Sequence, residues 1–326
     1  MNFQLPTKDA KSDYVLKQFD RIARKYDLAN DLISLGMHRL WKARAIYELV
    51  GASACFSCTG CSGAGSSADG SKHENTGEAQ HGAHEHNSKS ANCPGEARSP
   101  FEKSSKASTA AQAACNGSDP ALAAAMEMIE EALKNKGPRK YLDVCTGTGD
   151  LALEMFGRLG GYGEVCGLDF SPEMLSVARQ RCARAFGDKA QLKWVQGDAQ
   201  HLPFEDNSFD GAIISFGLRN LTDLQKGLNE MARVVKPGGR VVNLDLGQPD
   251  MPIFTPLFLF FFDQIVPIIG ELIQNDRQAY TYLPESRKSY PHPIRLSEMF
   301  AEAGLVDISW YPLALGSVAL HAGTVK

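Results

Sequence analysis

The run Tyr141-Leu142-Asp143-Val144-Cys145-Thr146-Gly147-Thr148-Gly149-Asp150 sets two glycines between a strand-like apolar run and a helix-like one. Glycine there lets the backbone turn tightly and lets a ligand come close to the main chain. A helix N-terminus beyond the turn offers free amides to an anionic group. Asp169 stands twenty residues after Gly149, at the end of the next apolar run, where a carboxylate can accept both hydroxyls of an adenosine ribose. Asp198 and Ala199 follow the third run, where an acidic side chain and a backbone amide can read an adenine edge. Taken singly, each aspartate is equally a helix cap or a loop residue. Three at successive strand ends share one edge, and ligands of parallel sheets bind at that edge. The pattern points to a nucleotide cofactor, with nicotinamide dinucleotide and S-adenosylmethionine as competitors. Gly147-x-Gly149-x-x-Ala152 fits the dinucleotide fingerprint, but Asp150 would repel a pyrophosphate and suits the ammonium of a methionine.

These residues need a sheet to hold them. Tyr141–Cys145, Glu164–Leu168, Leu192–Gln196, Gly211–Ser215 and Val241–Leu246 read as strands, and Leu151–Leu159, Pro172–Phe186 and Leu224–Val235 as helices between them. Strands alternating with helices imply an α/β fold, a central, mostly parallel sheet with helices on both faces. Near the end, Leu296–Ala303 reads as a helix stopped by Gly304, and Val306–Tyr311 with Val318–Thr324 as a C-terminal antiparallel hairpin. Ahead of the sheet, Val15, Leu16, Phe19, Ile22, Ala23 and Tyr26 recur at helical spacing, and a second helical pattern covers Leu40–Val50. Residues 1–50 are thus expected to form an N-terminal helical cap.

From Gly51 to Asp119 there is no Val, Leu, Ile, Met, Tyr or Trp. Such a stretch buries too little apolar surface to offset the entropy of ordering it. It is expected to be a disordered, low-complexity insertion, leaving 120–326 as the core, which opens on a helix from Asp119 and Pro120 to Gly137. Cys55, Cys58 and Cys61 with His81, His84 and His86 can ligate metal, but no hydrophobic kernel surrounds them, so no metal site is expected. A net charge of −4 gives no support to nucleic-acid binding. The N-terminus has no secretory or transit pattern. Pro256, Asp263 and Pro267 interrupt the longest apolar stretch, Ile253–Ile273, which argues against a membrane span. The expected location is cytoplasmic, with the 8 cysteines as free thiols.

In order, DVCTGTGD, GLDFSPEML, GDAQHLPFEDNSFD and RVVKPGG resemble the motif set of class I S-adenosylmethionine-dependent methyltransferases, a Rossmann-like fold. More narrowly, Tyr26 to Trp41 (YDLANDLISLGMHRLW), Ile214 to Asp223 (ISFGLRNLTD), Arg233 to Gly239 and the tail from SYPHP to GSVALHAG are similar to the ubiquinone/menaquinone biosynthesis C-methyltransferase family. The resemblance covers nearly everything but the insertion. Ala29, Asp245 and Gly247 depart from the family's usual Met, Glu and Ser. The resemblance implies S-adenosylmethionine contacts at Thr148, Asp169, Asp198, Ala199 and Ser215, with Gly147 and Gly149 shaping the loop. It implies methylation of a ring carbon of a prenylated quinol. LDLGQPD departs from ubiquinone-type members, which favours demethylmenaquinol over a methoxy-benzoquinol. A nicotinamide oxidoreductase and a non-catalytic scaffold are the alternatives from other classes.

Methyl transfer to carbon needs an electron-rich ring, so the reduced quinol must lose a proton and its oxygen must be held. Arg219 and Asn220, just past the fourth strand, are the expected pair for that oxygen; the alternative is a structural Arg–Asp pair and a helix cap. A guanidinium is a poor base at neutral pH. Asp150 is therefore a catalytic candidate, and Tyr26, Asp27, His38 and His292 are candidates around the substrate; for each histidine a structural role is the favoured alternative. Phe254–Ile273 is expected to line a prenyl-tail channel, rest on a bilayer, or pack as a buried lid. The expected partners are a prenylated quinol and, transiently, the inner membrane face, with a homo-oligomer left open.

Overall fold

The computed structural model describes residues 8–23, 26–50, 139–159, 163–187, 192–274 and 277–326. The 51–119 insertion, its cysteines and histidines, and the helix expected at 119–137 lie outside them. Seven strands form one sheet: β1 (Arg139–Val144), β2 (Gly163–Asp169), β3 (Leu192–Gln196), β4 (Phe209–Ser215), β5 (Val235–Leu246), β6 (Leu305–Leu313) and β7 (Val318–Val325). Their order is β3-β2-β1-β4-β5-β7-β6. The first five pair parallel, and β7 inserts antiparallel between β5 and β6. After β1 the chain builds outward through β2 and β3, then returns to β4 on the other side. That reversal opens a crevice above the carboxyl ends of β1 and β4, where ligands of such sheets bind.

Neighbouring residues of one strand feed opposite faces. Tyr141, Ile213 and Val242 pack on one side with Leu49, Leu151 and Met155. Leu142, Val144 and Ile214 pack on the other with Leu228, Met231 and Phe300. The covering helices are α3 (His38–Val50), α4 (Asp150–Leu159), α5 (Pro172–Phe186), α6 (Leu224–Val234) and α10 (Pro293–Glu302). Their starts follow from local chemistry. Ser171 caps α5 by accepting from the Met174 amide, with Pro172 in the first turn, and Asp223 caps α6 by accepting from the Lys226 amide.

The N-terminal region departs from expectation. The helical face expected to run through Tyr26 is divided between α1 (Lys8–Ile22) and α2 (Tyr26–Ser34), and α3 belongs to the sheet-covering layer, with Ala45, Ile46 and Leu49 in the same core as Ile213. The long apolar segment is also uninterrupted. It runs as α7 (Phe254–Phe260), a π-helical turn over Phe261–Ile265 and α8 (Val266–Gln274), followed by α9 (Arg277–Lys288). Pro256 sits in the first turn, where its missing N–H costs nothing. Ahead of Pro267 the Val266 amide donates to Phe261 O, five residues back. A wide turn of this kind accommodates a proline that a regular helix would not. Phe254–Leu272 is long and apolar enough to cross a membrane, and 22% of it is buried.

Candidate active site

A cavity of about 680 Å3, its open mouth included, lies above the carboxyl ends of β1, β2, β3 and β4. Tyr26, Gly147, Asp169, Asp198, Ala199, Ser215 and Asn220, all candidates from the sequence, line it. Nothing in the sequence assigned a site role to Ser12, Val15 and Phe19 of α1, nor to Cys145, Met174 and Phe216, which also line it. The apolar face of α1 was legible, but nothing in it distinguished packing from lining a site.

Gly147 (φ +58) and Gly149 (φ +78) take the left-handed backbone of the turn, and the Gly149 amide closes it on Thr146 O at 3.0 Å. A Cβ on Gly149 would lie 2.5 Å from the Trp194 ring, so the turn needs glycine for space as well as for conformation. Asp169 is buried at the end of β2. Its Oδ2 accepts from the Gly147 amide at 2.8 Å and its Oδ1 from the Ser171 amide at 2.9 Å. Burial pushes the Asp169 carboxyl up to about 6 against the pull of those amides. Below the turn, burial pushes Asp143 up to about 7, and the Thr146 hydroxyl donates to it at 2.5 Å. Asp198 sits at the rim and accepts from the Gln200 amide.

Two polar atoms in the wall are buried without a partner, Ser215 Oγ and Asn220 Oδ1. Buried polar atoms seldom stay unpaired, and both residues line the cavity. Together with the acceptor-rich Asp169 they fit a ligand that carries hydroxyl and amine donors, as the adenosine and methionine ends of S-adenosylmethionine do.

The remaining expected site residues lie elsewhere. Arg219 is not in the cavity wall. Its Nη1 donates to Asp245 Oδ1 and to Phe216 O, both at 2.6 Å, and its side chain is 5% exposed. The alternative of a structural Arg–Asp pair is therefore the geometry found, and it sits directly under the Phe216–Asn220 turn. Asp150 belongs to an ionic cluster outside the cavity. Burial raises its carboxyl, but Lys42 at 2.6 Å and Arg181 at 2.8 Å outweigh that and hold it well below the usual carboxylate range, which unfits it as a base. Asp27 accepts from Thr148 Oγ1 at 2.7 Å and from Arg181 at 2.8 Å, so neither Asp27 nor Thr148 lines the cavity. His38 bonds Ser34 Oγ at 2.8 Å, and burial lowers its pKa, with Lys42 adding to the effect. His292 is exposed and caps α10 through the Ile294 amide.

The sequence has counterparts among known proteins. A family model described as the ubiE/COQ5 methyltransferase family matches residues 7–70 and 125–325. A demethylmenaquinone methyltransferase of Geobacillus kaustophilus is 45% identical over 186 residues, 57% of this chain and 78% of that one. One of Desulfitobacterium hafniense is 43% identical over 182 residues, 56% and 72% of the two chains. One of Staphylococcus aureus is 41% identical over 194 residues, 59% and 79%. A match that takes in the glycine turn, the acidic strand ends and the Phe216–Asn220 corner spans every wall of the cavity, and this chain is a member of the ubiE/COQ5 methyltransferase family.

Proposed function

We propose that the protein methylates a ring carbon of a prenylated quinol, demethylmenaquinol, using S-adenosylmethionine, as a step of menaquinone synthesis. The observation that carries this is a cavity lined both by a nucleotide-type cradle at β1–β3 and by Asn220, whose Oδ1 is buried without a partner, in the turn that follows β4. The Asp169 carboxylate accepts the ribose hydroxyls, Asp198 and the Ala199 amide read the adenine edge, and the Gly147 turn and Ser215 hold the methionine end. Bound there, the sulfonium supplies an electrophilic methyl group. Asn220 Oδ1 accepts from a quinol hydroxyl and sets which ring carbon faces the donor. Arg219, charged and buried beneath that corner, favours the phenolate without touching it. Holding both reactants in one water-poor crevice is worth up to roughly 7–11 kcal/mol of barrier.

A quinol with an isoprenoid tail lives in a bilayer, and an apolar route from the cavity supports its entry. Cavity residues Phe19, Tyr26, Met174 and Phe216 share one cluster with Phe258, Phe261, Phe262 and Val266. On the outer side of the same helix Ile253, Leu257, Phe260, Ile268 and Leu272 are exposed at helical spacing, beside Leu28, Leu32 and Leu35 of the α2 region. We assign this face to transient contact with the membrane surface. The decisive assay offers both reduced quinol types with a labelled methyl donor. Label in the naphthoquinol is expected. Label only in the methoxy-benzoquinol would move the assignment to the ubiquinone branch, and no label in either would overturn it.

A further inference from the structure

Phe216 has φ +55, the left-handed region that a bulky side chain ordinarily avoids. Cys145, the first residue past β1, has φ +56. Both line the cavity. Non-glycine residues held in this conformation cluster at functional sites, where the surrounding structure over-determines them. Here the means of holding is visible. The Phe216 amide donates to Leu244 O at 2.7 Å, and Phe216 O accepts from Arg219 Nη1 at 2.6 Å. Asp245 fixes that guanidinium and also accepts from the Arg219 amide at 3.2 Å. The next residue must then be glycine, because a Cβ on Gly217 would lie 2.5 Å from Cys145 Cβ.

Glycine at 216 would make the same turn without strain, so the sequence retains a ring there for a reason other than the turn. The ring is fixed on two sides, by Trp41 with centroids 6.3 Å apart and by the Arg219 guanidinium 5.8 Å from its centroid. Its place in the sheet order indicates which reactant it meets. The ribose and adenine candidates sit at the ends of β2 and β3, whereas Phe216 and the unpaired Asn220 Oδ1 sit beyond β4, on the far side of β1.

We propose that Phe216 is the wall on which the aromatic acceptor stacks, and that the buried Arg219–Asp245 pair is a positioning device that holds Phe216 in its left-handed conformation. The proposal rests on the quinol reading above and adds the residue that selects a flat ring. Apolar bulk alone at 216 would leave a planar acceptor free to tilt away from the donor.

The test uses the full chain and three substitutions. Phe216→Leu keeps apolar volume and removes the ring, Phe216→Tyr restores it, and Asp245→Asn loosens the guanidinium. Phe216→Leu is expected to raise the KM for demethylmenaquinol roughly three- to tenfold, with S-adenosylmethionine affinity by calorimetry within about twofold of the parent. Phe216→Tyr should return KM toward the parent, and a folded Asp245→Asn should shift quinol KM in the same direction as Phe216→Leu. Should Asp245→Asn fail to fold, the positioning half is tested by comparing Phe216→Gly with Phe216→Ala, of which the glycine variant must melt higher if the conformation is strained. An unchanged quinol KM in Phe216→Leu, or an equal loss of donor affinity, overturns the stacking role. A higher melting point for Phe216→Ala overturns the strain. A parent chain that binds the donor yet methylates neither quinol overturns the functional reading itself and the stacking role with it.

Discussion

Arg181 of α5 donates through Nη2 to Asp150 Oδ1 at 2.8 Å, at the first residue of α4. The same guanidinium reaches Asp27 of α2 at 2.8 Å, and Thr148 O and Oγ1 of the glycine turn at 3.2 and 3.1 Å. One side chain thus fastens the cap to the turn that shapes the cavity. This explains why Asp150, attractive as a base in the sequence, is spent as an anchor.

Arg181→Met is expected to cost about 1–2 kcal/mol, because pairs at the surface contribute little each but several bonds are lost together. Donor affinity should fall as the turn loosens. Urea unfolding and calorimetry check both; a midpoint equal to the parent's would show that the cluster does not fasten the cap.

Asp169 carries a pH signature. Burial raises its folded pKa from 3.8 to about 6. An acid whose folded pKa is raised binds its proton more tightly when folded. It therefore contributes stability below pH 4 that is lost as pH rises toward 6. Ribose binding has the opposite sign, since the ionised carboxylate is the better acceptor. Donor affinity should fall below pH 6 by up to about tenfold per unit. Asp169→Asn should weaken binding and flatten that profile; a pH-independent parent would remove Asp169 from the ribose role.

The Arg219–Asp245 pair is buried, with side chains 5% and 1% exposed. Removing one member strands the other, so Asp245→Ala is expected to destabilise by about 3–5 kcal/mol. Arg219→Leu combined with Asp245→Ala should be less damaging than Asp245→Ala alone, because no buried charge is left unpaired. Denaturant titrations of the single and double variants give the comparison, and additive losses would contradict it.

The exposed face of α7 and α8 is expected to hold the protein on lipid vesicles. Leu257→Glu with Leu272→Glu removes two exposed apolar side chains and should lower vesicle partitioning at least about tenfold. Methylation of a short-tailed quinol should persist. Vesicle co-sedimentation that is identical for parent and variant would retire this face.

Much of the architecture was legible because it rests on local chemistry. Strand runs such as Tyr141–Val144 and caps such as Ser171 and Asp223 are each written within a few residues, so strand order along the chain, the antiparallel end and the glycine turn followed. Boundaries were less legible. β5 starts at Val235 and not Val241, because the bulge opposite Phe209–Gly211 lets a Pro-Gly-Gly stretch stay in the sheet. The apolar helix looked interrupted because the π-turn that absorbs Pro267 leaves no mark in composition.

Within the site, the sequence by itself indicated where the backbone turns: Gly147, Asp169, Asp198, Ala199 and Ser215 stand at or just past strand ends, and strand ends are set by short-range pattern. Only the tertiary structure decided which charges face the cavity and which face each other. Arg219, Asp150 and Asp27 found partners on other elements of the fold, and a buried charge goes to whichever opposite charge or donor the packing brings near, at a separation no local pattern encodes.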